Sequence, residues 1–303
     1  MLASTLLTAL DLPDHDSTHL TASGMHFPDG ADYRTEVPVV NSIVTFRALV
    51  RRTAAHHLVV NRVTETLGMF RHTRTEITEY VNCARDEGIA LIMSVGPRAS
   101  YDTSATRAAP HGSYLGYRLR GMDQIRRAVD DVLRGIELGV RGFVVYDEGL
   151  LSVLGEARRR ELLPPDVWFK ASAHMGCGNP VSARLLERLG ADSVNPVRDL
   201  SLDMLRAIRG QLSVPIDLHT DNPPSSGGFV RTYEAPDMVR VARPVYLKSG
   251  NSMLREHGQF TDASDGERMA DQVAIVRETL ERFAPELTQS PAQAALGRQV
   301  DVA

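Results

Sequence analysis

The chain is poor in cysteine and nearly devoid of lysine. Two cysteines, Cys83 and Cys177, among 303 residues exclude a disulfide framework and a four-thiolate metal site built by this chain alone. No uninterrupted apolar run approaches the roughly 18 residues that would mark a membrane-spanning helix, so no membrane partner is expected. The opening MLASTLLTALDLPDHDSTH carries no basic leader, which points to a cytoplasmic protein. Positive charge is not in excess either. With 34 basic and 38 acidic residues the net charge is −4, so nothing attracts nucleic acid in bulk. No glycine-rich phosphate turn follows an early strand, which weighs against an open doubly wound sheet. Internal repeats and low-complexity tracts are absent.

What remains is an ordinary globular composition, 43% hydrophobic and 24% charged, with room for a large core. Apolar runs of strand length alternate with segments of helical period. The strand candidates are 37–41, 57–63, 90–96, 141–148, 166–172, 192–197, 214–219 and 244–249. Amphipathic stretches such as TEITEYVNCARDEG, MDQIRRAVDDVLRGIELG, PVSARLLERLG and SLDMLRAIRGQL lie between them, several closed by glycine. Eight strands each followed by a helix predict a single-domain α/β fold, a (β/α)8 TIM-like barrel over 36–285. Residues 1–35 then form an N-terminal extension and 286–303 a tail that frays or docks in a homo-oligomer. Segments 64–73 and 97–119 read as long polar loops.

Alternation along the strands sorts side chains between the helices and the barrel interior. In DVWFKASAH the apolar set Val167, Phe169 and Ala171 must face the helices, which turns Trp168, Lys170, Ser172 and His174 inward. In VPIDLHTD, Ile216 and Leu218 face out and Asp217, His219 and Asp221 face in. Strand eight sends Tyr246 and Lys248 inward, strand six Ser193 and Asn195, and strand four ends in Tyr146, Asp147 and Glu148. A buried charge without a partner costs several kcal/mol, so these groups must meet one another or a ligand. One inward Lys–Asp pair would pass as a structural ion pair. Five strands agreeing at their C-terminal ends, where barrels of this kind do their chemistry, point to an active or binding site.

Three chemistries fit these residue types. His219 and Asp221, two apart on a strand, could ligate a divalent metal (zinc, manganese or iron) together with His174 and Glu148. Alternatively Lys170 or Lys248, the only two lysines, could be a desolvated amine that forms a Schiff base with a carbonyl. Lys170 is then the candidate nucleophile, His174 and His219 move protons, Glu148 and Asp221 are their carboxylate partners, and Asp217 is a further catalytic candidate that meets the lysines. The small-residue loops TDNPPSSGG and LKSGNS offer backbone N–H groups to an anion. Ser226, Gly227, Ser249 and Gly250, with Lys248, Arg198 and Asn195, are the expected anion-binding set. Together these describe a lyase, aldolase or isomerase acting on a small anionic, carbonyl-bearing metabolite; a non-catalytic barrel scaffold is the contrasting reading.

The stretch from VYDEGLLSVLGEARRR through RDLSLDMLRAIR resembles the central part of the U32 "peptidase" family over about 70 residues. An acidic turn ending a strand (Asp147, Glu148), an Asn opening a helix (Asn179), the Leu189–Gly190 helix end and the step Arg198–Asp199–Leu200–Ser201–Leu202 follow in the family's order. The resemblance implies a TIM-like barrel and, as an alternative activity, a divalent-metal-dependent hydrolase of that descent. After strand seven the family carries a cysteine-rich signature, tied in several members to an iron–sulfur cluster. Here DLHTDNPPSSGG has no cysteine, so no iron–sulfur cluster is expected. LHTDN (with Asp217, His219, Asp221 and Asn222) also resembles, more weakly, the strand-seven motif of metal-dependent HMG-CoA lyase-like barrels, whose acidic partner on strand one is not evident in VPVVN.

Overall fold

The structure is a computed structural model and describes residues 3–16, 20–98, 116–256 and 258–292. Eight parallel strands close into a barrel in sequence order, β1 (Tyr33–Pro38), β2 (Arg62–Thr64), β3 (Ala90–Ser94), β4 (Gly142–Val145), β5 (Trp168–Ala171), β6 (Ser193–Val194), β7 (Ile216–His219) and β8 (Val245–Lys248). A short N-terminal helix α1 (Ala3–Ala9) precedes the barrel. Among the described residues its helices are α2 (Ile43–Ala55), α3 (Arg74–Glu87), α4 (Gly121–Glu137), α5 (Glu148–Arg159), α6 (Pro180–Leu189), α7 (Leu202–Arg209), α8 (Ala235–Ala242) and α9 (Ala263–Phe283). None of them is long and apolar enough to cross a membrane.

Most barrel helices, α4 and α8 excepted, start where a short polar side chain accepts an otherwise orphaned backbone N–H. Thr73 and Glu76 form a capping box on α3, and Asp262 with Asp265 repeats it on α9. Asp147 caps α5, Asn179 caps α6 and Ser201 caps α7. Gly190 ends α6 at φ 115°, and a Cβ on Gly155 of α5 would lie 2.1 Å from the Leu189 carbonyl oxygen. That pair of glycines is what lets α5 and α6 touch backbone to backbone.

Alternation assigns the faces as expected. Val167, Phe169, Ala171, Ile216, Leu218, Val245 and Leu247 lie in the main core between strands and helices. Inside the barrel, Ala90, Ile92, Val144, Tyr146 and Trp168 form a separate apolar cluster against β3–β5. The rest of the interior is polar, so the barrel is filled asymmetrically.

Strand one differs from the expectation. It begins at Tyr33, four residues before the apolar run, because Tyr33 and Val37 face the helices while Arg34 and Glu36 fill the interior. The remainder of VPVVN turns instead, with Val39 at φ 61°. Segment 64–73 is a buried turn rather than an exposed polar loop. Glu65, fully buried, accepts N–H bonds from Leu67, Gly68 and Ser94, and this internal carboxylate satisfies the turn without solvent. Of the expected loop 97–119, residues 99–115 lie outside the described residues.

Both termini lie against the N-terminal end of the barrel. Phe27 packs under the Arg34 guanidinium at 4.0 Å and edge-on to Tyr246 at 5.4 Å. Residues 286–292, expected to fray or dock, instead lie across the barrel floor. Arg34 Nε donates to Ser290 Oγ (2.9 Å), Ser290 N to the Tyr33 carbonyl (3.0 Å), and Asn61 Nδ2 to the Ser290 and Pro291 carbonyls. The rest of the expected tail lies outside the described residues.

Candidate active site

The centre of the barrel is a network of five charges. Glu36 on β1 is fully buried and accepts from Arg62 Nε at 2.6 Å, Lys170 Nζ at 2.6 and 2.7 Å, and Thr64 Oγ1 at 2.7 Å. Arg62 on β2 also ion-pairs with Asp217 on β7, and Ser193 Oγ donates to Asp217 at 2.7 Å. Lys170 Nζ stands 3.6 Å from Asp217. Burial alone would raise the Glu36 pKa, but Arg62, Lys170 and Lys248 overcome it and hold the carboxyl well below its usual range. Arg62 lies between aromatic faces, 3.3 Å over Tyr246 and 5.4 Å from the Trp168 ring centre.

Lys248, at the end of β8, is placed differently from Lys170. The parallel register sets Glu36 and His219 beside it, yet its amine is 3.6 Å from the nearest Glu36 oxygen. When the Asn195 amide NH2 faces the carbonyls of Asp217 (3.0 Å) and Pro196 (3.3 Å), Asn195 Oδ1 accepts from Lys248 Nζ at 2.9 Å. Three cations, Arg62, Lys170 and Lys248, thus share two carboxylates. Burial and then the neighbouring Lys170 push the Lys248 pKa well below the ordinary lysine value, against the pull of Glu36 and Asp217. Lys170 is also lowered, by burial and Arg62, with Asp217 and Glu36 opposing.

A rim surrounds this floor. His174 follows β5 on a short 3-10 turn, stacks on Tyr117 with ring centres 4.2 Å apart, and lies 3.4 Å from Arg198 Nη2. Burial, with Arg198, Arg98 and Lys248 nearby, drives its pKa down to about 3, so the ring is neutral at physiological pH. Arg98 covers Tyr117 and Tyr146 at 5.0 and 4.8 Å, and the Tyr146 hydroxyl meets Ser94 Oγ at 2.6 Å. His219 is buried, with Nε2 3.5 Å from the Asn195 amide. The lowered His174 pKa has a sign that can be checked. Between pH 6.5 and about 3 the unfolded chain binds a proton that the folded chain does not, so stability falls with acidification by up to ~1.4 kcal/mol per pH unit. In urea titrations from pH 7 to 4, His174→Gln is expected to lose stability less steeply than the wild type; parallel curves would show a protonated ring.

The structure therefore brings together Lys170, Asp217, Lys248, Asn195, His219, His174 and Arg198. It separates others from them. Glu148 opens α5 at the rim, where its half-exposed carboxylate pairs with Arg118. Asp221 is turned away into the β8 loop, accepting from Gly250 N at 3.0 Å and Ser252 N at 2.6 Å. The four residues expected to ligate a metal, His219, Asp221, His174 and Glu148, thus do not converge, and among the described residues no three His, Cys, Asp or Glu side chains do. The expected anion cradle is corrected by the same contacts. The Gly250 amide already serves the internal anion Asp221, and Ser249 Oγ meets Thr220 at 2.9 Å. The amides of Ser226 and Gly227 close a local turn onto the carbonyls of Pro223 and Pro224. Cys177 is buried, its thiol pushed up to about 11, mainly by burial.

Sequence reasoning missed Glu36, Arg62 and Arg98. Glu36 carries a usable signal, since in YRTEV the charges Arg34 and Glu36 alternate with the helix-facing Tyr33 and Val37, whereas Arg62 sits in a strand too short to show a period. Arg98 follows a Gly–Pro pair beyond β3, and nothing in its local pattern marks it.

No protein-family model matches the chain, and no curated protein matches it. Solved structures of similar fold include a U32 peptidase, 16% identical, covering 70% of this chain and 73% of that one with a TM-score of 0.39. They also include a structure titled "Native KDPGal structure", 11% identical over 84% of this chain and 96% of that one, TM-score 0.48. A third is the YdjI aldolase from Escherichia coli K12, 13% identical over 90% and 94%, TM-score 0.46. Likeness this distant concerns the fold alone: the U32 relationship is one of barrel architecture, and membership of that family is not shown.

Proposed function

We propose that this barrel is an enzyme acting on a small anionic, carbonyl-bearing metabolite, with Lys248 as the amine that forms a Schiff base with it. The observation that carries this reading is the unequal treatment of the only two lysines. Lys170 is held by both oxygens of Glu36, whereas the hydrogen-bond acceptor of Lys248 is a neutral amide. A buried amine whose pKa is lowered gives up its proton more readily and is the better nucleophile for it. Attack by its lone pair forms the C–N bond. The carbinolamine oxygen then leaves as water once protonated, and the resulting iminium can accept the electron pair of a bond broken at the neighbouring carbon. His219, the register neighbour of Lys248 on β7, and His174, within electrostatic reach of it, are the proton carriers of this reading. Arg198, part-buried and unmatched by a carboxylate within the described residues, supplies the charge that would hold the substrate's anionic group. A metal centre finds less support, because two of its four expected ligands are bound elsewhere.

Borohydride reduction in the presence of pyruvate, glyoxylate or dihydroxyacetone phosphate, followed by peptide mass mapping, tests the proposal. We expect an adduct on Lys248 with at least one of these probes and none in Lys248→Met. An adduct on Lys170 instead, or none with any probe, would overturn the assignment.

A further inference from the structure

Resting on the Lys248 reading, we infer that Asn195 is the positioning residue of the site: its carboxamide, pinned by two backbone carbonyls, orients the Lys248 amine. Asn195 ends β6 and is 4% exposed. Its NH2 group can lie against the carbonyl oxygens of Asp217 (3.0 Å) and Pro196 (3.3 Å), both fixed by the barrel backbone. The opposite orientation would set the amide oxygen against two carbonyl oxygens, three acceptors with no donor between them. The backbone therefore selects one rotation of the amide, and with it Oδ1 faces Lys248 Nζ at 2.9 Å.

An amide oxygen can only accept, so one N–H of Lys248 must point at it. The second N–H has Glu36 Oε1 at 3.6 Å on the floor side. A neutral amine carries two N–H bonds and one lone pair, and with one hydrogen engaged by Asn195 Oδ1 the lone pair is turned away from that oxygen. A protonated amine would carry a third N–H in that direction. Asn195 thus does two things that a carboxylate at the same place would not. It orients the amine, and it does so without adding a negative charge that would hold the proton on.

Modification by cyanate reads this directly, because it needs a free lone pair and no Schiff base. With only two lysines, peptide mapping gives a separate rate for each as a function of pH. Asn195→Asp puts a carboxylate at the position of Oδ1, 2.9 Å from the amine, and we expect the pH midpoint of Lys248 carbamylation to rise by at least one unit, with a tenfold lower rate on the acid limb of the profile. Asn195→Ala removes the acceptor, and we expect its limiting high-pH rate at Lys248 to fall at least fivefold at unchanged melting temperature. Should Asn195→Asp not fold, the alanine variant decides alone. Profiles for Lys248 that superimpose on the wild type in the folded variants would overturn the role of Asn195, even if borohydride trapping on Lys248 succeeds. Shifted profiles without any trapping would overturn the proposed chemistry and leave the positioning intact.

Discussion

Glu36→Gln is expected to destabilise the barrel by about 3–5 kcal/mol, the cost of stranding buried charge when one partner of an ion pair is removed. The glutamine keeps the shape and one acceptor oxygen. It removes the charge that Arg62 and Lys170 both face inside a fully buried floor. Neither cation can turn to solvent: Arg62 is held over the Tyr246 ring, and Lys170 is 1% exposed. Urea unfolding measures the loss, and a double-mutant cycle isolates its origin. Combining Glu36→Gln with Lys170→Met removes one charge of each sign, so the pair is expected to cost at least ~1 kcal/mol less than the sum of the single changes. Additive losses would mean that the floor is hydrated and the charges are screened from one another. The same carboxylate sets an acid limit. Its lowered pKa contributes stability that is fully present above the unfolded value near 4.3 and is lost as pH falls toward the folded one.

The sequence made the barrel and half of its polar interior legible, and the reasons lie in particular residues. Phe169 flanking Lys170, or Ile216 and Leu218 flanking Asp217, declares a helix-facing set, so the inward set follows by elimination. On β1 that test was applied to the wrong window. The apolar run VPVV drew the strand four residues too late, and Arg34 and Glu36 were left outside it. Arg62 suffered in a related way, because most of HLVVNRV is the passage from α2 to a strand only three residues long. Depth was not legible at all. Periodicity says which way a side chain faces, while the stagger between strands decides which groups share a level. That stagger puts Glu36 beside Lys248 and leaves Lys170 to take both of its oxygens.

The U32-like motif residues have a physical explanation that does not involve a site. Asp147, Asn179 and Ser201 are helix N-caps, and Gly190 is the left-handed end of α6 where it meets Gly155. Their order along the chain is the punctuation of successive βα units, which any barrel with these loop lengths must solve. A match built on caps therefore reports architecture; of the residues assigned to the site, Lys170, His174, Asn195 and Arg198 lie within the matched stretch, while Glu36, Arg62 and Lys248 lie outside it.

The two lysines are expected to move stability in opposite directions. Lys170→Met leaves Glu36 and Asp217 facing Arg62 and a more distant Lys248, and should cost about 3–5 kcal/mol, as for any broken buried pair. The second effect falls on Lys248. With the Lys170 charge gone and Glu36 freed of one of its two direct cation partners, the remaining amine takes up a proton more readily, so trapping at pH 7 should fall even though the nucleophile is intact. Lys248→Met acts the other way. It replaces a desolvated amine, which has no carboxylate within hydrogen-bond distance, by an apolar chain of similar length, so a gain of about 1–3 kcal/mol is expected alongside complete loss of trapping. The pH dependence separates this from a packing effect. In the wild type the unfolded chain binds a proton at Lys248 throughout the window between its lowered folded pKa and the unfolded value near 10.4, so this group makes stability rise with pH across that window. In Lys248→Met that contribution is gone, and its advantage over the wild type should shrink as pH rises from 7 toward 10. A Lys248→Met protein less stable than the wild type at pH 7 would show instead that Lys248 is a paired structural charge, and the amine chemistry built on it would fall with that result.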